Sequence, residues 1–386
     1  MDDSKKHPPA PVRVLHMVGS MTPGGAENWL MRLLRKTDRS ILQMDFCVGK
    51  HEEGLYEKEV KSLGSKIIRC EIKPLYTYPQ RLARVLRETG YDVIHSHGWL
   101  ASGLVLKVAH RCNVPVRIAY SHTTRDKYSP SLYRKLYART MRHLIMKHAT
   151  HCLSCCSEAG SVLFGNGWRK IDKCRVLYTA VDIEAFRPGQ SPLVTKADFG
   201  IPSDAVVIGH VGSFRLAKNH KFLLDITAEV IKKQPEVWFF LAGDGELRKE
   251  SEVKAKRLGI KNHIIFAGNR NDVPQLMVHL FDVLVFPSIY EGMPLTLVEA
   301  AAAGLRVVCS DVITSEATDV LPEAFTHLSL NATAKEWAEA VIRVFKRGRI
   351  PQEHSYKKVK ESHFSVESSL RELASIYKCK KDPVSK

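Results

Sequence analysis

Residues Phe286 to Val308 read FPSIYEGMPLTLVEAAAAGLRVV, and the reading of this stretch decides the fold. It opens on the end of an apolar strand, Val283-Leu284-Val285-Phe286, which Pro287 and Ser288 stop. A loop carrying Glu291 and Gly292 follows, and Pro294 is predicted in the first turn of a helix. That helix runs through Leu295, Leu297, Val298 and the alanines to a glycine stop at Gly304. A second apolar strand, Val307-Val308-Cys309, leaves at once. The unit is strand–loop–helix–strand with its loop at the carboxyl end of the strand, where open α/β sheets bind ligands.

The predicted helix start offers unpaired N–H groups at Met293, Leu295 and Thr296 together with the positive end of the helix dipole, a site for phosphate. Glu291 and Glu299 bracket it, Glu299 lying roughly 7 Å beyond Pro294 at ~1.5 Å per residue. A carboxylate suits sugar hydroxyls better than phosphate. A ligand with hydroxyls at both ends and a diphosphate between them, a nucleotide sugar, satisfies the whole arrangement. From spacing alone, a solvated loop glutamate and an exposed helix glutamate fit equally well.

The chain has 386 residues, enough for two domains of ~150–200 residues each. Lysine and arginine exceed aspartate and glutamate by 58 − 41 = 17, an excess that points to anionic partners: nucleotide phosphates, nucleic acid or an anionic lipid surface. Nine cysteines form no regular framework, and Cys152, Cys155 and Cys156 read as buried, reduced thiols of a cytosolic protein rather than a metal site. The polar, proline-rich amino end has no signal-peptide core, and no apolar run approaches the ~18 residues of a membrane span.

Strand and helix alternate twice along the chain. Val12–Val18 runs into Gly24-Gly25 and a helix predicted over Asn28–Arg35. Asp92–His95 ends in His95-Ser96-His97-Gly98, whose two histidines are expected to face opposite ways and so not to form a metal site. Val116–Tyr120 delivers His122 at its carboxyl end. Leu132–His148 is a helix predicted to turn Tyr133, Leu136, Tyr137, Met141, Leu144 and Ile145 inward, and Arg134, Lys135, Arg139, Arg142 and Lys147 outward. It reads first as a sheet cover with a solvated basic face, and second as a docking surface for anionic lipid. After a polar linker, Val206–Val211 leads through Gly212 to Arg215 and Lys218, two cations ahead of a helix predicted over Phe222–Lys233. Val237–Ala242 leads to Gly243, and Ile264–Ala267 to Gly268 and Asn269. The domains expected are an N-terminal flexible segment 1–11, a first domain 12–180, a second 181–365, and a helix within 366–386 that crosses back to the first.

Carboxylates eight apart around G-M-P-L-T-L-V resemble the donor-binding E-x7-E signature of glycosyltransferase family 4, a retaining family of the GT-B fold. G-G-A-E at Gly24–Glu27, H-x-H-G at His95–Gly98 and Lys218-Asn219-His220 resemble further motifs of that family, with Arg215 two residues later than the usual arginine. The resemblance implies two Rossmann-like doubly wound domains facing across a cleft, the donor mostly on the second and the acceptor mostly on the first. It implies that Glu299 binds the ribose and Glu291 the transferred sugar, while Gly292, Met293, Pro294, Leu295 and Thr296 hold the diphosphate. Arg215 and Lys218 would neutralise the leaving diphosphate, His122 would meet the sugar, and Gly24, Gly25, Gly243 and Asn269 would line the donor. No metal or other cofactor is expected, since no D-x-D occurs.

The expected reaction moves a sugar from a nucleoside diphosphate, a UDP-sugar first, to a glycan or polyprenyl-linked acceptor in surface polysaccharide synthesis. The place expected is the cytoplasm, peripherally on the inner membrane face. A nucleotide-sugar epimerase of the same fold is the enzymatic alternative. A nucleic-acid-binding protein rests on the net charge alone, with no recognition motif behind it, and nucleic acid is not expected as a partner.

Overall fold

The computed structural model describes residues 10–124 and 131–378. The segment set apart at the amino end lies, up to residue 9, outside the described residues, as do residues 379–386 of the carboxyl-terminal piece. The chain divides into two compact units: residues up to Ala180 with those from Val366 onward, and Val181–Ser365.

In the first unit, β1 (Val12–Val18), β2 (Leu42–Val48), β3 (Ile67–Arg69), β4 (Val93–Ser96), β5 (Val116–Ser121), β6 (His151–Ser154) and β7 (Cys174–Val176) form one sheet in the order β3-β2-β1-β4-β5-β6-β7. All its pairings are parallel. The order reverses between β1 and β4, the switch point at which doubly wound sheets open a crevice. There His16 of β1 stands in register with His95 of β4. The helix Val366–Tyr377 belongs to this unit.

The second unit repeats the plan with β8 (Val207–Val211), β9 (Trp238–Ala242), β10 (Ile264–Gly268), β11 (Val283–Phe286), β12 (Arg306–Ser310) and β13 (Phe325–Leu328), in the order β10-β9-β8-β11-β12-β13. Its switch point lies between β8 and β11. Val283, Leu284, Val285 and Phe286 are all fully buried, as a parallel strand covered on both faces requires.

Several local expectations are corrected. The first helix spans Gly25–Lys36 rather than starting at Asn28, with Gly24 as its N-cap. The helix after β11 spans Leu295–Ala302, so Pro294 caps it from outside instead of entering its first turn. In the Leu132–His148 helix, Ala138 and Ile145 are buried, whereas Tyr133 and Leu136 are exposed. The inward face is set by the neighbouring Ser102–Arg111 helix: a Cβ on Gly103 would lie 2.5 Å from the Met141 carbonyl oxygen. That close approach carries the inward contact at Met141 and Leu144, one turn and more beyond Tyr133 and Leu136.

Candidate functional site

On one side of the second unit's switch point, three loops leave the carboxyl ends of β8, β9 and β10 and are laced by backbone bonds. Gly212 donates to Ala242, Phe214 to Asp244 at 3.0 Å, and Gly243 to Gly268 at 2.8 Å. Gly243 has φ +143° and Gly245 φ +158°, and a Cβ on Gly243 would sit 2.1 Å from the Gly212 carbonyl oxygen. Only glycine allows these two backbones to touch.

The β8 loop then makes a short 3-10 turn, Leu216–Lys218, closed by Asn219 at φ +56° before the helix His220–Lys233. The loop after β11 is tied to this turn by a 2.7 Å bond from the Ile289 amide to the Ala217 carbonyl. The tie brings the Lys218 Nζ to 2.7 Å from Glu291 Oε1, with the two side chains 17% and 14% exposed. The ammonium also lies 4.5 Å from the centroid of the Phe286 ring, a cation–π contact. Leu216, Ile289 and Tyr290 are exposed beside this pair in sequence.

The Leu295–Ala302 helix begins next to Glu291. The Leu295 N–H is engaged by the Met293 carbonyl at 3.0 Å, so it is not the free donor expected of it. Met293 and Thr296 make no such backbone bond among the described residues, and their N–H groups remain available to an anion. Glu299 stands half-buried in the same helix, one turn beyond Leu295. Arg215 is exposed, and its guanidinium has no bonded partner among the described residues. Asn269 is exposed in the loop after β10. The second unit therefore gathers Lys218 and Glu291 as a bonded pair and places Arg215, Gly243, Gly292 and the helix start on adjoining loops of the same sheet end.

In the first unit, Gly24 and Gly25 open the helix after β1. A cavity of about 140 Å³ lies at the ends of β1, β2 and β4, lined by Met17, Gly19, Cys47, Ser96 and Gly98 among others. Beside that switch point the histidines converge. His97 Nδ1 is 2.8 Å from His122 Nε2, His97 Nε2 is 3.1 Å from His16 Nδ1, and His95 Nδ1 is 2.6 Å from the Tyr377 hydroxyl. The Tyr120 ring stacks on His122 at 4.2 Å. Burial pushes His16 and His122 down to about 3 and holds His95 and His97 well below the usual histidine range, so all four rings are neutral near pH 7.

The expectation that His95 and His97 face opposite ways is wrong. Residues two apart along a strand line one face, and these ring centroids are 4.4 Å apart. His16, His95 and His97 each offer a nitrogen within 4.8 Å of the others, although both nitrogens of His97 are engaged by neighbouring rings. His16 and Tyr377 escaped sequence reasoning. A lone histidine in VRVLHMV reads as core, and Tyr377 meets His95 across 282 residues.

Residues 194–362 match the family model described as glycosyl transferases group 1, and residues 23–185 match that of glycosyltransferase family 4. EpsF of Bacillus subtilis (strain 168), named as a glycosyltransferase, is 34% identical over 371 residues, spanning 95% of this chain and 96% of its own. The capsular polysaccharide biosynthesis glycosyltransferase CapH of Staphylococcus aureus is 24% identical over 96% of this chain and 99% of its own. The crystal structure of Anabaena Alr3699/HepE with UDP and glucose superposes with a TM-score of 0.76 at 19% identity, covering 94% of this chain and 98% of that one. With EpsF matched along 96% of its length and both Rossmann-like sheets in place, the chain belongs to glycosyltransferase family 4 and has the GT-B fold.

Proposed function

We propose that the protein transfers a sugar, with retention of configuration, from a UDP-sugar to a glycan or polyprenyl-linked acceptor in surface polysaccharide synthesis. The observation that carries this reading is the Lys218–Glu291 pair at the switch point, next to the N–H groups of Met293 and Thr296. The pair stores both halves of the chemistry that a nucleotide sugar needs. An arriving diphosphate takes the ammonium, and the released carboxylate turns to the hydroxyls of the transferred sugar. As the glycosidic bond breaks, negative charge grows on the leaving diphosphate. Lys218, Arg215 and the Leu295–Ala302 helix start answer it electrostatically. Glu299 takes the ribose, Gly24, Gly25, Gly243 and Asn269 line the donor, and His122 orients the sugar. HepE was solved with UDP and glucose, and CapH is named for capsular polysaccharide; both support the donor and the pathway class.

The test incubates the full chain with a panel of nucleotide sugars, with and without a polyprenyl-diphosphate-linked glycan, in excess EDTA. Products are read by mass spectrometry and anomeric NMR. Acceptor-dependent, α-to-α transfer that persists in EDTA is expected. Conversion of the donor alone would make the protein an epimerase. Activity lost in EDTA and restored by Mg²⁺ would show that the cations named here do not carry the diphosphate.

A further inference from the structure

The clustered histidines of the first unit form a chain, with His16 buried and His97 and His122 partly buried. His97 is bonded through both nitrogens, to His16 at 3.1 Å and to His122 at 2.8 Å. A neutral imidazole has one N–H and one lone pair, so His97 donates in one of these bonds and accepts in the other. Burial keeps the rings neutral, which leaves only two proton arrangements. In one, the protons sit on Nδ1 of His16, His97 and His122. In the other, all three sit on Nε2.

The inner end of the chain decides between them. His16 is fully buried, and its Nε2 has no hydrogen-bond partner among the described residues. The second arrangement places an N–H there with nothing to accept it, whereas the first leaves only a bare lone pair. Buried orphan N–H groups are the rarer and costlier of the two. The first arrangement therefore prevails, and its consequence emerges at the outer end. His122 accepts at Nε2 and carries its proton on Nδ1, the nitrogen to which nothing bonds among the described residues.

We infer that His97 and His16 are positioning residues that hold His122 in its Nδ1–H form, so that it presents a hydrogen-bond donor to an oxygen of the transferred sugar. Histidine free in water prefers the opposite tautomer, with the proton on Nε2. The chain overrides that preference at a site where a donor can meet the sugar ring oxygen or a hydroxyl lone pair, whereas a bare nitrogen could only accept from a hydroxyl. The functional half of this inference rests on the reading of His122 as the residue that meets the sugar. The tautomer itself is measurable without any substrate.

The measurement is a two-bond ¹H–¹⁵N spectrum of the ligand-free full chain labelled at histidine, assigned with single-histidine variants. The expected result is a protonated Nδ1 and a bare Nε2 on His122 at pH 7.5. His16→Phe keeps a ring in the stack but removes the proton that anchors the chain. His122 should then move toward the Nε2–H form. Turnover should fall ~3- to 10-fold, the loss of one neutral hydrogen bond, while the donor KM holds. An Nε2–H His122 in the wild-type chain would overturn the inference without need of any variant. So would an unchanged tautomer in folded His16→Phe, or stoichiometric Zn²⁺ that moves all three rings to metal-bound shifts. Loss of transfer with the predicted tautomer intact would count against the function proposed above and not against the chain of protons.

Discussion

The Lys218 ammonium and the Glu291 carboxylate lie 2.7 Å apart across 73 residues of sequence, joining the loop after β8 to the loop after β11. In the ligand-free protein each charge is satisfied by the other, and donor binding is an exchange of partners. Removing one member is therefore not equivalent to removing the other.

Glu291→Gln releases Lys218 for phosphate. Binding of free UDP should equal that of wild type or tighten by up to ~10-fold, the scale of one charge-assisted bond, while turnover with the full donor falls. Glu299→Gln should instead weaken UDP by ~10–100-fold, because UDP carries the ribose. Isothermal titration reads both. Lost UDP binding in Glu291→Gln beside intact binding in Glu299→Gln would reverse the donor in its site.

Lys218→Ala leaves the mostly buried Glu291 carboxylate without its ammonium. It should lower stability by ~1–3 kcal/mol and reduce both UDP affinity and turnover. Arg215 is exposed, and its guanidinium makes no bond among the described residues. Arg215→Ala should leave the melting temperature in place and still weaken UDP. A variant silent in both melting and titration would return the arginine role to another residue.

Gly243→Ala tests the lacing beneath the site. The new Cβ meets the Gly212 carbonyl oxygen at 2.1 Å, in a backbone conformation that L-residues avoid. A loss of ~1–3 kcal/mol in urea unfolding is expected, with weaker UDP binding as the Gly212–Lys218 loop is displaced. Unchanged stability would show that the two loops part easily.

The desolvated histidines set a pH dependence. His16, His122, His95 and His97 in the first unit, with His210 near 4 in the second, all titrate below the usual value when folded. The unfolded chain takes up their protons first as pH falls below ~6.5. Their stabilisation is complete above that pH and is lost on descent toward 3. Between pH 7.5 and 5.5 the unfolding free energy read from urea titrations should fall by on the order of 1 kcal/mol per histidine. Glu59 and Asp272, held below the usual carboxylate range by Arg35 and Arg270, do not mask the slope. A flat profile would mean that these rings are hydrated.

We propose that the protein docks on anionic membrane through the start of the Leu132–His148 helix. Leu132, Tyr133 and Leu136 are 85%, 80% and 63% exposed, and Lys135 and Arg139 are exposed among them. Arg142 is engaged by the Val162 carbonyl, and Arg134 lies over Trp99 and Tyr137. Charge reversal at Lys135 and Arg139 should cost ~1 kcal/mol of binding per removed charge on anionic vesicles, more at low salt. Wild-type protein that ignores such vesicles would leave this patch without a lipid role.

What the sequence made legible follows from local physics. Strands buried on both faces are unbroken apolar runs, and glycine and proline punctuate the loops, so the stretch around Glu291 and Glu299 announces a ligand loop. Long-range pairing is not written locally. Nothing near Lys218 names Glu291, and nothing near His95 names His16 or Tyr377. The Gln352–Lys360 helix went unread because Tyr356 and Val359 alone among its residues are apolar, too few to show a helical period. The inward face of Leu132–His148 depends on Gly103 of another helix, which periodicity cannot see.

The Val366–Tyr377 helix sends the Tyr377 hydroxyl to His95, so the first unit is assembled from two separated pieces of chain. On the ribosome this imposes an order. Residues 181–365 emerge whole and can complete their fold, while the earlier-made unit waits for its final helix. Chains released at Ser365 should accordingly yield a protease-resistant second unit beside a first that is cleaved, and a synthetic Val366–Tyr377 peptide added in trans should restore its protection.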